Sequence, residues 1–118
     1  MKTLKCRNVQ AAEAGDEIFQ VTFETEFDSL KDYFLIQRGF EFEEVVGNQI
    51  YIESDDMTFT GYNIIEEAFL ERNRFYIRLN DKDNSEIELL FSISDNKYQK
   101  IKKTLKIIFT RFHNLKVQ

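Results

Sequence analysis

Tryptophan and proline are missing from this 118-residue chain, cysteine and histidine each occur once, and glycine only four times. A lone thiol, Cys6, cannot close an internal disulfide, which fits a reducing compartment. One thiol and one imidazole, His113, cannot build a zinc site. The glycines Gly15, Gly39, Gly47 and Gly61 are isolated, so no glycine-rich phosphate loop exists. The acidic stretch Asp81–Glu86 lacks the length and central glycine of a calcium loop. Nucleophilic catalysis needs a nucleophile beside an oriented base, and no such set converges around the single imidazole. These absences predict no catalytic residues, no metal and no cofactor. Apolar runs are only a few residues long, far short of the ~20 that cross a bilayer. The segment Met1–Gln10 has no apolar core of a secretory signal. A cytoplasmic chain with no membrane partner is expected.

What is present is aromatic and charged. Twelve Phe and five Tyr stand in a chain of single-domain length, 1–118. Each buried Phe contributes roughly 1.5–3 kcal/mol, so a core can form without disulfides or metal. The charges are segregated. The last 24 residues hold seven bases and one acid, a net +6, and the first 94 hold nine bases and twenty acids, a net −11. Such a division bears on partners rather than on bond-making chemistry. The overall charge of −5, and strands without interleaved basic and aromatic residues, argue against nucleic acid.

Period-two alternation dominates residues from about 3 to 94 and predicts half-buried strands. Phe19, Val21, Phe23, Thr25 and Phe27 share one face. Phe34, Ile36, Phe40 and Phe42 share another, interrupted by Arg38. A buried Arg there needs a carboxylate, and Glu53 or Glu67 could supply it. Ile50 and Ile52 oppose Tyr51 and Glu53. Asp55-Asp56 reads as a turn, Asn73 as a hairpin tip, Thr3–Gln10 as a first strand and Ala11–Asp16 as a loop. Ile87, Leu89, Phe91 and Ile93 form the last strand. The period then switches, and Tyr98, Ile101, Leu105, Ile108, Phe109, Phe112 and Leu115 make one stripe on a helix from about Asn96 to Asn114. Ser94 or Asp95 caps it, and His113 falls in its last turn. The stripe ties the helix to its own domain, with lysine stems covering apolar surface. The fold class predicted is α+β: a mostly antiparallel sheet or partly open barrel of about seven or eight strands, with one C-terminal amphipathic helix packed on it.

Acids gather as Glu41, Glu43 and Glu44, as Glu53, Asp55 and Asp56, and as Glu66, Glu67 and Glu71. Such groups steer a basic partner, and equally they keep a surface soluble. Edge strands rich in Phe and Ile, with no Pro to block them, leave a homodimer open.

The central texts are Tyr33-Phe34-Leu35-Ile36-Gln37-Arg38, Ile50-Tyr51-Ile52-Glu53, Phe59-Thr60-Gly61-Tyr62 and Phe69-Leu70-Glu71-Arg72. With the terminal helix they resemble the immunity protein 10 family of bacterial polymorphic toxin systems, over about Asp16 to Phe112. Gln37-Arg38, Glu53 and Gly61 are the polar landmarks. Tyr62 and Asn63 depart from it, since a second small residue would follow Gly61. The resemblance implies a small cytosolic bacterial protein that binds and neutralises a cognate toxin, and it brings no catalytic set. On that reading Tyr51, Tyr62 and Tyr76 are expected to anchor the toxin, with Glu53, Asp55 and Glu66 steering it. The alternative is a pleckstrin-homology-like module for a peptide or lipid headgroup, which shares the order of strands followed by one helix. It would need a basic cluster at a barrel mouth.

Overall fold

Alternating apolar side chains need a second apolar layer, and here two five-stranded sheets supply one to each other. The computed structural model describes residues 1–15, 17–26, 31–40 and 49–118. In chain order come β1 (Lys2–Lys5), β2 (Asn8–Ala14), β3 (Ile18–Glu24), β4 (Tyr33–Gly39) and β5 (Ile50–Ser54). A 3-10 turn (Met57–Phe59) leads to β6 (Gly61–Tyr62), β7 (Ile65–Glu71), β8 (Arg74–Leu79) and β9 (Glu86–Leu90). Helix α1 (Asp95–Ile108) and β10 (Leu115–Val117) follow. One sheet has the order β1-β9-β8-β7-β10 and the other β2-β3-β4-β5-β6. All pairs are antiparallel except the two edges of the first sheet, β1 on β9 and β10 on β7. The architecture is the α+β class expected, as two sheets and no closed barrel among the described residues.

Phe23 of the second sheet stacks on Phe75 of the first, centroids 5.6 Å apart, and also meets Phe91 at 5.9 Å. These rings join the two inner faces. Tyr98, Ile101, Leu105 and Ile108 bury the apolar stripe of α1, which lies against β2 and β3. Ser94 caps the helix by accepting from the Lys97 amide at 3.2 Å. Asp95 in the first turn pairs with Arg72 at 2.8 Å.

The described strands number ten, more than the seven or eight expected, because three are very short or split. The expected first strand is two. Cys6 donates its amide to Leu90 of the first sheet, and Arg7 donates to Glu24 of the second, so the chain changes sheet between neighbouring residues. The loop expected at Ala11–Asp16 is strand as far as Ala14. Alanine has little intrinsic preference for strand, but the register against β3 holds the segment extended. Cys6 itself is buried, and burial pushes its thiol up to about 12. Its role is that of a small apolar filler.

Helix α1 ends at Ile108, six residues before the expected end. Arg111 adopts a left-handed conformation, φ 73°, and the chain turns back into β10. Phe109 and Phe112 keep helical spacing past the helix because both fold back onto the core. His113 is therefore exposed in the connection rather than capping the helix.

Arg38 explains the reversal. It is 1% exposed and donates through Nη1 to the carbonyls of Ile108 and Thr110. Its guanidinium lies over the rings of Phe40, at 4.4 Å, and Phe112, at 5.2 Å. The carboxylates expected to serve it are engaged elsewhere, Glu53 by two tyrosines and Glu67 by Arg78 and Lys116. The expectations for Phe27, Phe42, Glu41, Glu43 and Glu44 lie outside the described residues.

Candidate partner-binding face

A strand buried on one side must present its other parity outward. On the second sheet that parity is Tyr33, Leu35 and Gln37 on β4, Tyr51 and Glu53 on β5, and Tyr62 on β6. The register places Leu35 beside Glu53, Gln37 beside Tyr51, and Tyr51 beside Tyr62. β3 continues the face with Gln20, Thr22 and Glu24.

Glu53 organises this surface. One carboxylate oxygen accepts from the Tyr33 hydroxyl at 2.7 Å and the other from the Tyr51 hydroxyl at 2.8 Å. Ionising either tyrosine would set a phenolate against a carboxylate and lose a donated bond. The bond to Glu53, then burial, pushes the Tyr33 hydroxyl up to about 12, and the same bond raises that of Tyr51. The ring of Tyr51 lies 4.8 Å from that of Tyr62, which is 60% exposed. Two of the hydroxyls are thus fixed, and one ring projects.

The corner beside these rings is also ordered. Asn63, left-handed at φ 53°, accepts from the Ile50 amide and returns its own amide to the Ile50 carbonyl, which sets β6 against β5. Asp55 accepts from the Asp32 amide at 2.9 Å and lies 3.9 Å from the Lys2 ammonium. Asp56 caps the 3-10 turn, and the Thr58 amide holds its carboxyl below the usual carboxylate range.

The outer face of the first sheet has a different character. Arg74 bonds Glu88 at 2.6 Å, Arg78 bonds Glu67 at 3.1 Å, and Lys116 reaches Glu67 at 3.2 Å. Arg74 holds the Glu88 carboxyl below its ordinary value. Tyr76 donates to Glu86 and lies under the Arg74 guanidinium, 5.0 Å from its ring centroid. Opposite charges here already satisfy one another. On the second sheet the outward strand positions carry Glu24 and Glu53 but neither Lys nor Arg.

The structure therefore brings Tyr51, Glu53, Asp55 and Tyr62 together and separates the other two predicted residues. Glu66 is exposed beside a β-bulge on β7, and Tyr76 sits on β8, both in the other sheet. Tyr33 belongs to the cluster and was missed. Its parity, opposite to Phe34 and Ile36, was the available signal.

The family model for immunity protein 10 matches residues 4–99, most of the chain. The chain belongs to the immunity protein 10 family. No curated protein shows a match. The matched residues of this immunity protein 10 family member run from β1 to Gln99, the fifth residue of α1. They include every residue of the Tyr33–Glu53–Tyr51–Tyr62 cluster. Lys100 to Lys106 and β10 lie beyond them. Among the described residues no helix is long and apolar enough to cross a membrane, and no group of His, Cys, Asp or Glu could hold a metal ion.

The hydroxyl–carboxylate geometry can be checked directly. In a near-ultraviolet absorbance titration of the folded chain, Tyr33 and Tyr51 should ionise above the ordinary tyrosine value of about 10. Glu53→Gln removes the neighbouring charge and should return both toward it. A folded value above the unfolded one adds stability that is fully present below pH ~10 and is lost as pH rises toward the folded value. An unchanged titration in the Glu53→Gln variant would mean that the hydroxyls are not held by Glu53.

Proposed function

We propose that this chain is a non-enzymatic cytoplasmic inhibitor that docks a cognate toxin domain on the outer face of the second sheet. Family membership supports an immunity role, and one observation favours this face. Tyr33, Tyr51, Glu53 and Tyr62 form an ordered aromatic and acidic surface whose strand positions lack compensating cations. Aromatic rings on a rigid sheet lose little conformational freedom on binding and are the common anchors of protein interfaces. Uncompensated acids raise the encounter rate with a basic surface. The opposing sheet would have to break its own Arg–Glu pairs to do the same. Inhibition would follow from occlusion, the sheet covering a basic surface that the toxin needs for its target.

The test is co-expression in bacteria of the chain with toxin domains encoded beside its gene. Growth should be restored by the chain with one of them, and the two should co-purify. Restored growth without a complex, or no neutralisation of any neighbouring toxin, would overturn the reading.

A further inference from the structure

A second surface, outside the proposed toxin face, has its own chemistry. Among the described residues β2 is the edge of the second sheet, and the ladder reveals which of its amides β3 does not take. Thr25 donates its amide to Asp32, and Phe40 donates to Glu17. This parity turns the amides of Phe19, Val21 and Phe23 toward β4, and those of Gln20, Thr22 and Glu24 toward β2. Their partners Ala12, Gln10 and Asn8 are thus used up. Val9, Ala11 and Glu13 point their backbone donors and acceptors off the sheet edge, where no strand lies beyond β2 among the described residues.

Alongside this edge runs a groove of about 260 Å³ between β2 and α1, lined by Ala11, Ala12 and Glu13 and by Lys100, Lys103 and Ile107. The small alanine side chains leave the backbone approachable. On the helix Lys97, Lys100, Lys103 and Lys106 are exposed, and none has an ion-pair partner among the described residues. Glu13 is the one acid in the groove lining among the described residues.

We propose that an extended acidic peptide segment adds to β2 as a further antiparallel or parallel strand in this groove. Its backbone would bond Val9, Ala11 and Glu13, and its carboxylates would meet Lys100 and Lys103. Strand addition at an open edge takes affinity from main-chain bonds and selectivity from the side chains beside it. Unopposed lysines select acids. A second copy of this chain fits less well, because pairing β2 with β2 would bring two lysine-rich helices toward each other.

The probe is a fluorescein-labelled hexapeptide of alternating Glu and Val with blocked termini. Its control carries Lys in place of Glu. Anisotropy at low salt should show binding of the acidic probe alone, with amide shifts in the full chain centred on Val9, Ala11 and Glu13. Lys100→Glu combined with Lys103→Glu should weaken binding at least tenfold. Ala11→Pro removes an outward amide without breaking the β2–β3 ladder and should abolish binding. Should that variant fail to fold, the amide map and the lysine variant still decide. Equal binding of both probes, amide shifts confined to α1, or tighter binding of single-stranded DNA or anionic vesicles would overturn the proposal. So would a dimer in sedimentation whose contact maps to β2.

Discussion

Arg38→Ala should lower the unfolding free energy by about 3–5 kcal/mol, the sum expected for two charge-assisted hydrogen bonds and a ring-stacked cation. The side chain is buried among Phe40, Phe112 and the end of α1, and it holds the carbonyls of Ile108 and Thr110. Truncation leaves those carbonyls without their donor and opens a void of nearly a whole side chain. For a chain of this size the loss corresponds to a fall in melting temperature of roughly 15 °C. Arg38→Lys should recover only part of it, since an ammonium cannot serve two carbonyls and two rings with one planar group. Urea unfolding gives the size of the effect. Amide exchange gives its place: protection should drop first from Leu105 to Phe112, where the helix end meets Arg38. A loss under about 1 kcal/mol would mean that the guanidinium only fills space, and that water can replace its bonds.

Arg38 also shows where sequence reading runs out. Its burial was legible, because it interrupts the face set by Phe34 and Ile36. Two of its partners were not, because the carbonyls of Ile108 and Thr110 belong to a helix end that no strand pattern places beside it. The same interaction hid the helix terminus. Phe109, Phe112 and Leu115 continue the three- and four-residue spacing, and periodicity cannot distinguish a helix from a reversal that returns the same residues to the same core. Fold class was legible because period two and period 3.6 occupy different parts of the chain. Strand order was not, since alternation specifies a face but never a neighbour. That is why Tyr76 and Glu66 were grouped with Tyr51 and Glu53, although β7 and β8 belong to the other sheet. It is also why Tyr33 went unnoticed: its bond to Glu53 exists only once β4 pairs with β5.

Tyr62→Ala should weaken the toxin complex about thirtyfold, the roughly 2 kcal/mol typical of a central aromatic anchor. The ring is largely exposed and rests on Tyr51, so its loss should barely change the stability of the free chain, and the effect should fall on the dissociation rate. Glu53→Lys should act differently. It reverses charge where the described outward strand positions carry no Lys or Arg, so association should slow about tenfold at low ionic strength and recover toward the parent rate as salt screens the field. It also removes the acceptor that fixes Tyr33 and Tyr51, which should raise the dissociation rate as well. Charge reversal at Asp55 should slow association too, with some cost to the turn that holds the Asp32 amide. Tyr76→Ala supplies the decisive contrast. Its ring belongs to the self-paired lattice of the first sheet, and its removal should leave both rate constants unchanged. If Tyr76→Ala weakens the complex while Tyr62→Ala and Glu53→Lys do not, the toxin binds the opposite sheet. Binding there would displace Arg–Glu pairs that the free chain already forms, so the salt dependence would lie in dissociation rather than in encounter.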